Sequence, residues 1–403
     1  MLEVMLAIHG PNRELETGCG LYIHVPYCQT KCGYCDFFSV PLADRNPGPL
    51  VDAIRKELRA RLAGCPCPIR TIFIGGGTPT VLPLELLDAL LREVRVGVDV
   101  AGIDEFTVEA NPATVDEAKA ALLVSRGVTR VSLGAQSFRE DELQVLERLH
   151  RPTDVASSVQ VLRQAGVAEL NLDLIFGIPG QSLGRWQESL QRAIDLGVEH
   201  LACYALTYEP NTRLTAQRDA GQVVPCDEEL EADMYLCAID QLVAAGFGQY
   251  EISNFARPGR QCEHNLIYWR NQPYVGVGPS AVGCVDGRRH KNVAGVAAYV
   301  RGMRERGHAE ADGEQLDATM LATEMVMMQL RLVEGLSLAA FHIRTGFDGL
   351  ELFEGVVERF TSLGLLSVTD DRLALTRDGR LVANAVMADL ASCIPSAAAA
   401  ASL

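Results

Sequence analysis

Three cysteines fall within eight residues: Cys28, Cys32 and Cys35, separated by three residues and then by two. Thiolates at this spacing can each hold one iron of a [4Fe–4S] cluster, leaving the fourth iron open to a small molecule. Structural zinc is the competing use of such residues, but it is closed by four ligands. Cys19 and His24 are the nearest candidates for a fourth, and no second ligand pair follows at finger-like spacing. The spacing therefore favours the cluster. Gly33 allows the loop to turn tightly between the second and third cysteines.

Further residues suit a polar ligand beside that iron. In Gly75-Gly76-Gly77-Thr78-Pro79 the glycines let the backbone approach a ligand, and free N–H groups there would meet a carboxylate. Glu109, Gln136 and Asp173 interrupt apolar runs toward the ends of three successive strand-like segments. One alone would read as a satisfied core polar group. Three at successive strand ends suit ribose hydroxyls, an ammonium and polar substrate groups. Arg148 either offers a charge-assisted bond to a carboxylate or is a surface helix arginine.

Six apolar runs, residues 21–27, 71–74, 105–110, 130–135, 169–176 and 201–207, read as strands buried on both faces of a parallel sheet. Helical patterns alternate with them over 50–62, 84–94, 115–124, 141–149, 154–165 and 183–196. Glycines fall near the ends of these helices, as C-caps require. Six βα units imply an α/β domain, with the cysteine loop at the C-terminal end of the first strand, where such folds place their sites. Beyond them we expect a helix over 227–245, a strand over 249–255, a Gly-rich turn or strand over 274–283 and a helix over 293–304. Helices at 320–332, 338–342 and 350–363 follow. A hairpin over 365–375, turning at Asp370-Asp371, and a last helix over 377–390 then complete a winged-helix-like module. The organisation expected is a tail (1–19), a barrel-like domain (20–245), a connecting segment (246–310) and a smaller, mostly helical domain (311–403). Residues 397–402 read as a frayed end.

The 403 residues carry a net charge of −16, which argues against a large nucleic-acid footprint. No apolar run approaches the ~20 residues of a membrane span, and residues 1–10 are too short and uncharged for a signal peptide. A cytoplasmic protein is expected. The 12 cysteines need not form disulfides in a reducing compartment. Cys203, Cys226, Cys237, Cys284 and Cys393 read as small hydrophobes, and Cys65-Pro66-Cys67 as a turn.

The cysteine triplet, with Tyr34 between its last two members, resembles the signature of radical S-adenosylmethionine enzymes. The resemblance implies an incomplete (β/α)6 TIM-like barrel. It implies a [4Fe–4S] cluster whose open iron is chelated by the methionine amino and carboxylate groups, and reductive cleavage of the sulfonium to a 5′-deoxyadenosyl radical. From about residue 20 to residue 390 the chain more narrowly resembles the oxygen-independent coproporphyrinogen III oxidases (dehydrogenases) and their relatives. That implies S-adenosylmethionine contacts at Tyr22, Gly76, Gly77, Thr78, Glu109, Gln136, Arg148, Asp173 and Ala205, with Tyr22 and His24 as candidates for a catalytic role.

Two functions occur in that family: oxidative decarboxylation of coproporphyrinogen III, and carriage of haem to acceptor proteins. Phe37 stands where the dehydrogenases carry a fourth cysteine, and the stretch before the first strand is shorter than theirs. His264-Asn265-Leu266-Ile267-Tyr268-Trp269 resembles the motif of the haem-chaperone branch, which implies haem contact at His264, Asn265, Tyr268 and Trp269. An imidazole can ligate haem iron and the two rings offer flat apolar area; Cys262 is a rival ligand. Arg257, Arg260, Arg270, Arg288, Arg289 and Lys291 face only Glu263 and Asp286 in this stretch, and the excess would suit haem propionates. The expectation is a haem chaperone with haem-accepting partners and an electron donor. It needs no nucleic acid and no membrane span, and would make at most peripheral contact with membrane haem proteins. The dehydrogenase is the alternative; a purely structural cluster is disfavoured by the intact glycine and strand-end motifs.

Overall fold

The computed structural model describes residues 18–369 and 371–395. The expected tail before residue 18, the frayed end over 397–402 and Asp370 of the expected turn lie outside the described residues.

Six βα units build the main layer. The strands are β1 (Cys19–Val25), β2 (Ile69–Gly76), β3 (Glu105–Ala110), β4 (Arg130–Gln136), β5 (Glu169–Phe176) and β6 (His200–Ala205). They pair in parallel in that order. The helices between them are α1 (Gly48–Ala63), α2 (Leu84–Gly97), α3 (Glu117–Ser125), α4 (Glu140–Val145), α5 (Pro152–Ala165) and α6 (Leu183–Asp195), followed after β6 by α7 (Arg213–Asp219) and α8 (Glu228–Ala244). Each helix forms for a readable reason. In α2 the buried Leu87, Leu90, Leu91 and Val94 recur at helical spacing and face the sheet. Asp116 caps α3 by accepting from the Lys119 amide at 2.8 Å. Gly166 ends α5 in the left-handed conformation, φ +94°. Full burial of one leucine here contributes about 2 kcal/mol, so Leu91→Ala would cost about 3 kcal/mol.

The strands are not apolar on both faces, as their runs suggested. Ile72, Ile74, Phe106, Val108, Val131, Leu133, Leu172 and Leu174 are buried against the helices. The alternate positions, including Thr107, Glu109, Ser132, Asn171 and Asp173, line a cavity on the concave side. Small residues such as Ser132 and Gly134 conceal this alternation in the sequence.

No strand pairing joins β1 to β6 among the described residues; the barrel is incomplete, and its edges are extended instead. On the β6 side lie β7 (Gly248–Gln249) and β8 (Asn254–Ala256), so the single strand expected over 249–255 is split by a turn. Next comes α9 (Glu263–Trp269), a helix over the motif stretch. On the β1 side lie β9 (Tyr274–Val277), β10 (Val282–Val285), β11 (Arg288–Asn292) and β12 (Glu310–Gln315), with α10 (Val296–Glu305) packed on α1. β11 and β12 escape the sequence reading because they carry charge instead of apolar alternation; Arg288 pairs with Glu310, and Arg289 with Glu314, across them.

A second core belongs to α11 (Ala318–Gln329), β13 (Leu336–Ser337), α12 (Leu338–Thr345), α13 (Gly349–Ser362), β14 (Leu366–Val368), β15 (Arg372–Leu375) and α14 (Ala383–Ser392). This is the expected winged-helix-like arrangement, with the last helix starting later because a 3-10 turn occupies Gly379–Val382. No helix among the described residues is long and apolar enough to cross a membrane.

Candidate cofactor site at the cysteine loop

The cysteine loop leaves the C-terminal end of β1 and is tied down on both sides. Tyr27–Cys28 pairs in parallel with Val40–Pro41. The Gly33 carbonyl accepts from the Leu214 amide of α7 at 2.9 Å, and Arg213 reaches the Lys31 carbonyl and pairs with Glu147. Cys28, Cys32 and Cys35 are half-buried, and burial pushes the Cys28 and Cys35 thiols up. The Thr78 hydroxyl donates toward Cys28 Sγ at 3.8 Å, and Arg148 donates to Cys32 Sγ at 3.4 Å. Three soft donors on one loop, two of them aided by donors that favour the thiolate, fit an iron–sulfur cluster.

The three cysteines open onto a cavity of about 620 Å³, lined also by Gly76, Gly77, Thr78, Glu109, Gln136, Arg148, Asp173 and Ala205. Every expected S-adenosylmethionine contact except Tyr22 thus lines one space. The glycine turn acts differently from expectation. The amides of Gly77 and Thr78 donate to the Val25 and Tyr27 carbonyls at 2.9 and 2.7 Å, and that of Gly76 donates to Glu109 Oε2 at 2.9 Å. These N–H groups are spent on the protein, so the turn is bolted to the cysteine loop instead of presenting a nest for an anion. Gly76 has φ +97°, and a Cβ there would stand 2.3 Å from the His24 ring.

Arg148 is not a surface helix residue. α4 stops at Val145, and Glu147, φ +55°, turns the chain. This aims the guanidinium into the cavity, where it donates to Asn111 Oδ1 at 2.7 Å and to the Gly134 carbonyl at 2.6 Å. Gln136 sits at φ +64° beside a register shift at the end of β4; such backbone is uncommon outside glycine and re-aims a side chain. Asn111 also donates to the Thr78 hydroxyl at 2.9 Å. It was missed, although it lies two residues beyond Glu109, the strand alternation that places both on one side.

Burial and the nearby Asp173 raise the Glu109 carboxyl to about 8, against the pull of the Gly76 amide. Burial raises Asp173 to about 6, opposed by Asn171, Ser132 and Arg148. Both acids gain from a ligand that brings hydroxyls or an ammonium.

Tyr22 and His24 do not line the cavity. The Tyr22 hydroxyl donates to His24 Nδ1 at 2.8 Å, and His24 Nε2–H donates to the Phe38 carbonyl at 2.8 Å. Burial holds the imidazole below its ordinary pKa. The pair positions the end of the cysteine loop from beneath.

The expected haem residues separate. His264 is fully buried; its Nδ1 is hydrogen-bonded to Thr71 at 2.7 Å and its Nε2 to the Tyr268 hydroxyl at 3.0 Å. The ring stacks on Phe73, and burial lowers its pKa to about 3. As placed, it offers no nitrogen to a metal. The rival Cys262 is also buried and donates to Glu105 at 3.1 Å. Trp269 lies under the Arg331 guanidinium; only Asn265 of the motif reaches the cavity. The cationic stretch is largely neutralised: Arg260 pairs with Glu169, Arg270 with Glu334, Arg288 with Glu310 and Arg289 with Glu314 and Glu324. Those acids lie outside residues 257–291, so counting charges within the stretch could not reveal them.

Comparison with known proteins agrees with this geometry. The Radical SAM superfamily matches residues 22–193, and the HemN C-terminal domain matches residues 316–382. The protein called heme chaperone HemW in Bacillus subtilis is 35% identical over 91% of this chain and 97% of its own length. The one of Mycobacterium tuberculosis is 38% identical over 92% and 94%, and that of Escherichia coli 35% over 91% and 96%. The solved coproporphyrinogen III oxidase (HemN) of Escherichia coli superimposes with a TM-score of 0.80 at 20% identity, covering 94% of this chain and 91% of that one, a likeness of fold. With the cysteine loop, its cavity and near full-length identity in agreement, the chain belongs to the radical SAM superfamily and, within it, to the family of the heme chaperone HemW proteins.

Proposed function

We propose that this protein is a haem chaperone that binds haem, carries a [4Fe–4S] cluster with S-adenosylmethionine, and delivers haem to acceptor proteins. The observation that carries the reading is the 35–38% identity to proteins called heme chaperone HemW over more than nine-tenths of the chain. Phe37 supports it. It occupies the position of the dehydrogenases' fourth cysteine and is 70% exposed on the cavity lining, an apolar surface suited to a flat macrocycle.

Cys28, Cys32 and Cys35 would hold the cluster, and Gly76, Gly77, Thr78, Glu109, Gln136, Arg148, Asp173 and Ala205 would surround S-adenosylmethionine at its open iron. Bound there, the cluster supplies one-electron reduction, for which an electron donor is required. Glu109 and Asp173 would hold the ammonium and hydroxyls, and Arg148 would hold negative charge beside Cys32. Within the haem motif, Asn265 faces the cavity. His264 reaches an iron only if α9 lifts from β2 and the ring leaves Thr71 and Tyr268. We place this activity in the cytoplasm.

The test is anaerobic cluster reconstitution, followed by haemin in one sample and coproporphyrinogen III in another. Stoichiometric haem retention, release to an apo-haem protein and no decarboxylation are expected. Steady production of protoporphyrinogen overturns the proposal in favour of the dehydrogenase.

A further inference from the structure

A second trio of cysteines converges at the other end of the barrel. Cys19 is the first residue of β1, while Cys65 and Cys67 flank Pro66 on the turn between α1 and β2. Their sulfurs all lie within 4.8 Å of one another. Cys19 is fully buried and the other two are half-buried. The whole of β1, roughly 20 Å of strand, separates this trio from the cysteine loop.

The backbone holds the three in place. The Cys19 amide donates to the Pro68 carbonyl at 2.8 Å. A register shift between Cys19 and Gly20 in the pairing with β2 sets the direction of the Cys19 side chain. Cys65 donates to the Cys67 carbonyl at 3.2 Å.

We propose that Cys19, Cys65 and Cys67 form a zinc(II) site, with water as the fourth ligand. Three ligands plus one open position is a common zinc arrangement. Zinc–sulfur bonds of about 2.3 Å put tetrahedral sulfurs about 3.8 Å apart, so small side-chain rotations close the trio onto one ion. An iron–sulfur cubane needs a wider set, because each cysteine there holds its own iron. Binding converts three thiols to thiolates and releases their protons to solvent. The ion clips the start of β1 to the entry of β2 and closes the barrel floor.

The first measurement uses the full chain with Cys28→Ser, Cys32→Ser and Cys35→Ser, so that the cluster thiols are absent. Cobalt(II) should give thiolate-to-cobalt charge-transfer absorption saturating near one equivalent, and zinc should displace it. Adding Cys65→Ser and Cys67→Ser, both on a half-exposed turn, should abolish the absorption. Its absence before those substitutions, or its persistence after them, overturns the proposal. A second measurement needs no variant. On the cluster-loaded natural chain, zinc should slow alkylation of Cys65 and Cys67 at least tenfold in peptide mapping. Unchanged alkylation, or a disulfide from Cys19 to either residue in protein kept reduced, also overturns it.

Discussion

Glu109 concentrates the chemistry of the cavity in one carboxyl group. Its folded pKa of about 8 lies above the ordinary value of 4.5. The unfolded chain releases this proton first, so stability of the cofactor-free protein falls as pH rises from about 4.5 to about 8. Glu109→Gln should flatten that fall and stabilise the cofactor-free protein at pH 8 by on the order of 1 kcal/mol. A series of melting temperatures against pH checks this; an unchanged slope refutes it. His264 has the opposite sign. Its folded pKa of about 3 lies below the ordinary 6.5, so stability is full above about pH 6.5 and declines as pH drops toward 3. His264→Ala removes a packed ring with two hydrogen bonds and should cost about 2–4 kcal/mol at pH 7, read by urea unfolding. A loss below about 0.5 kcal/mol would mean that the ring is not the structural pin seen here. The types and spacing of Cys28, Cys32, Cys35, Glu109, Gln136 and Asp173 made the cavity legible in the sequence. The burial of His264 was not legible, because Thr71 and Phe73 reach it from a distant strand.

Among the elements, the glycine turn after β2 joins the cysteine loop to the cavity. Gly76→Ala places a methyl in backbone that disfavours it and against the His24 ring. The strain is worth about 1–3 kcal/mol, relieved only by moving the turn. The variant should melt lower and retain less than half the iron of the natural chain after reconstitution; full iron content would show that the turn can shift freely. The βα alternation was readable because each strand carries an apolar run and each helix but the short α4 a cap or terminal glycine. β11, β12 and the split between β7 and β8 were not. A charged edge strand has no hydrophobic period, and its ladder depends on a partner far along the chain.

At the scale of the whole molecule, the two cores are stitched together by backbone and arginine. The Ile252 amide donates to the Arg331 carbonyl at 3.1 Å, and the Val333 amide to the Tyr250 carbonyl at 3.0 Å. Arg344 donates to the carbonyls of Arg270 and Asn271 at 3.1 and 2.8 Å, directly after α9. Arg344→Ala should raise hydrogen exchange several-fold in α9 and α12 while β3 to β5 stay protected. Equal protection in α9 would show that the C-terminal unit does not brace it. No local pattern announced this brace, since carbonyls at a helix end carry no sequence signature.

The hydrogen bond from Gly76 to Glu109 gives the cavity a mechanical output. One carboxylate oxygen grips the turn, and the other is left for a guest. A guest that pulls on Glu109 therefore pulls on Gly76, whose neighbours Gly77 and Thr78 grip Val25 and Tyr27, the residues leading into Cys28. A small molecule held by Glu109 would therefore be felt as tension at the cysteine loop, through a short lever with no moving domain.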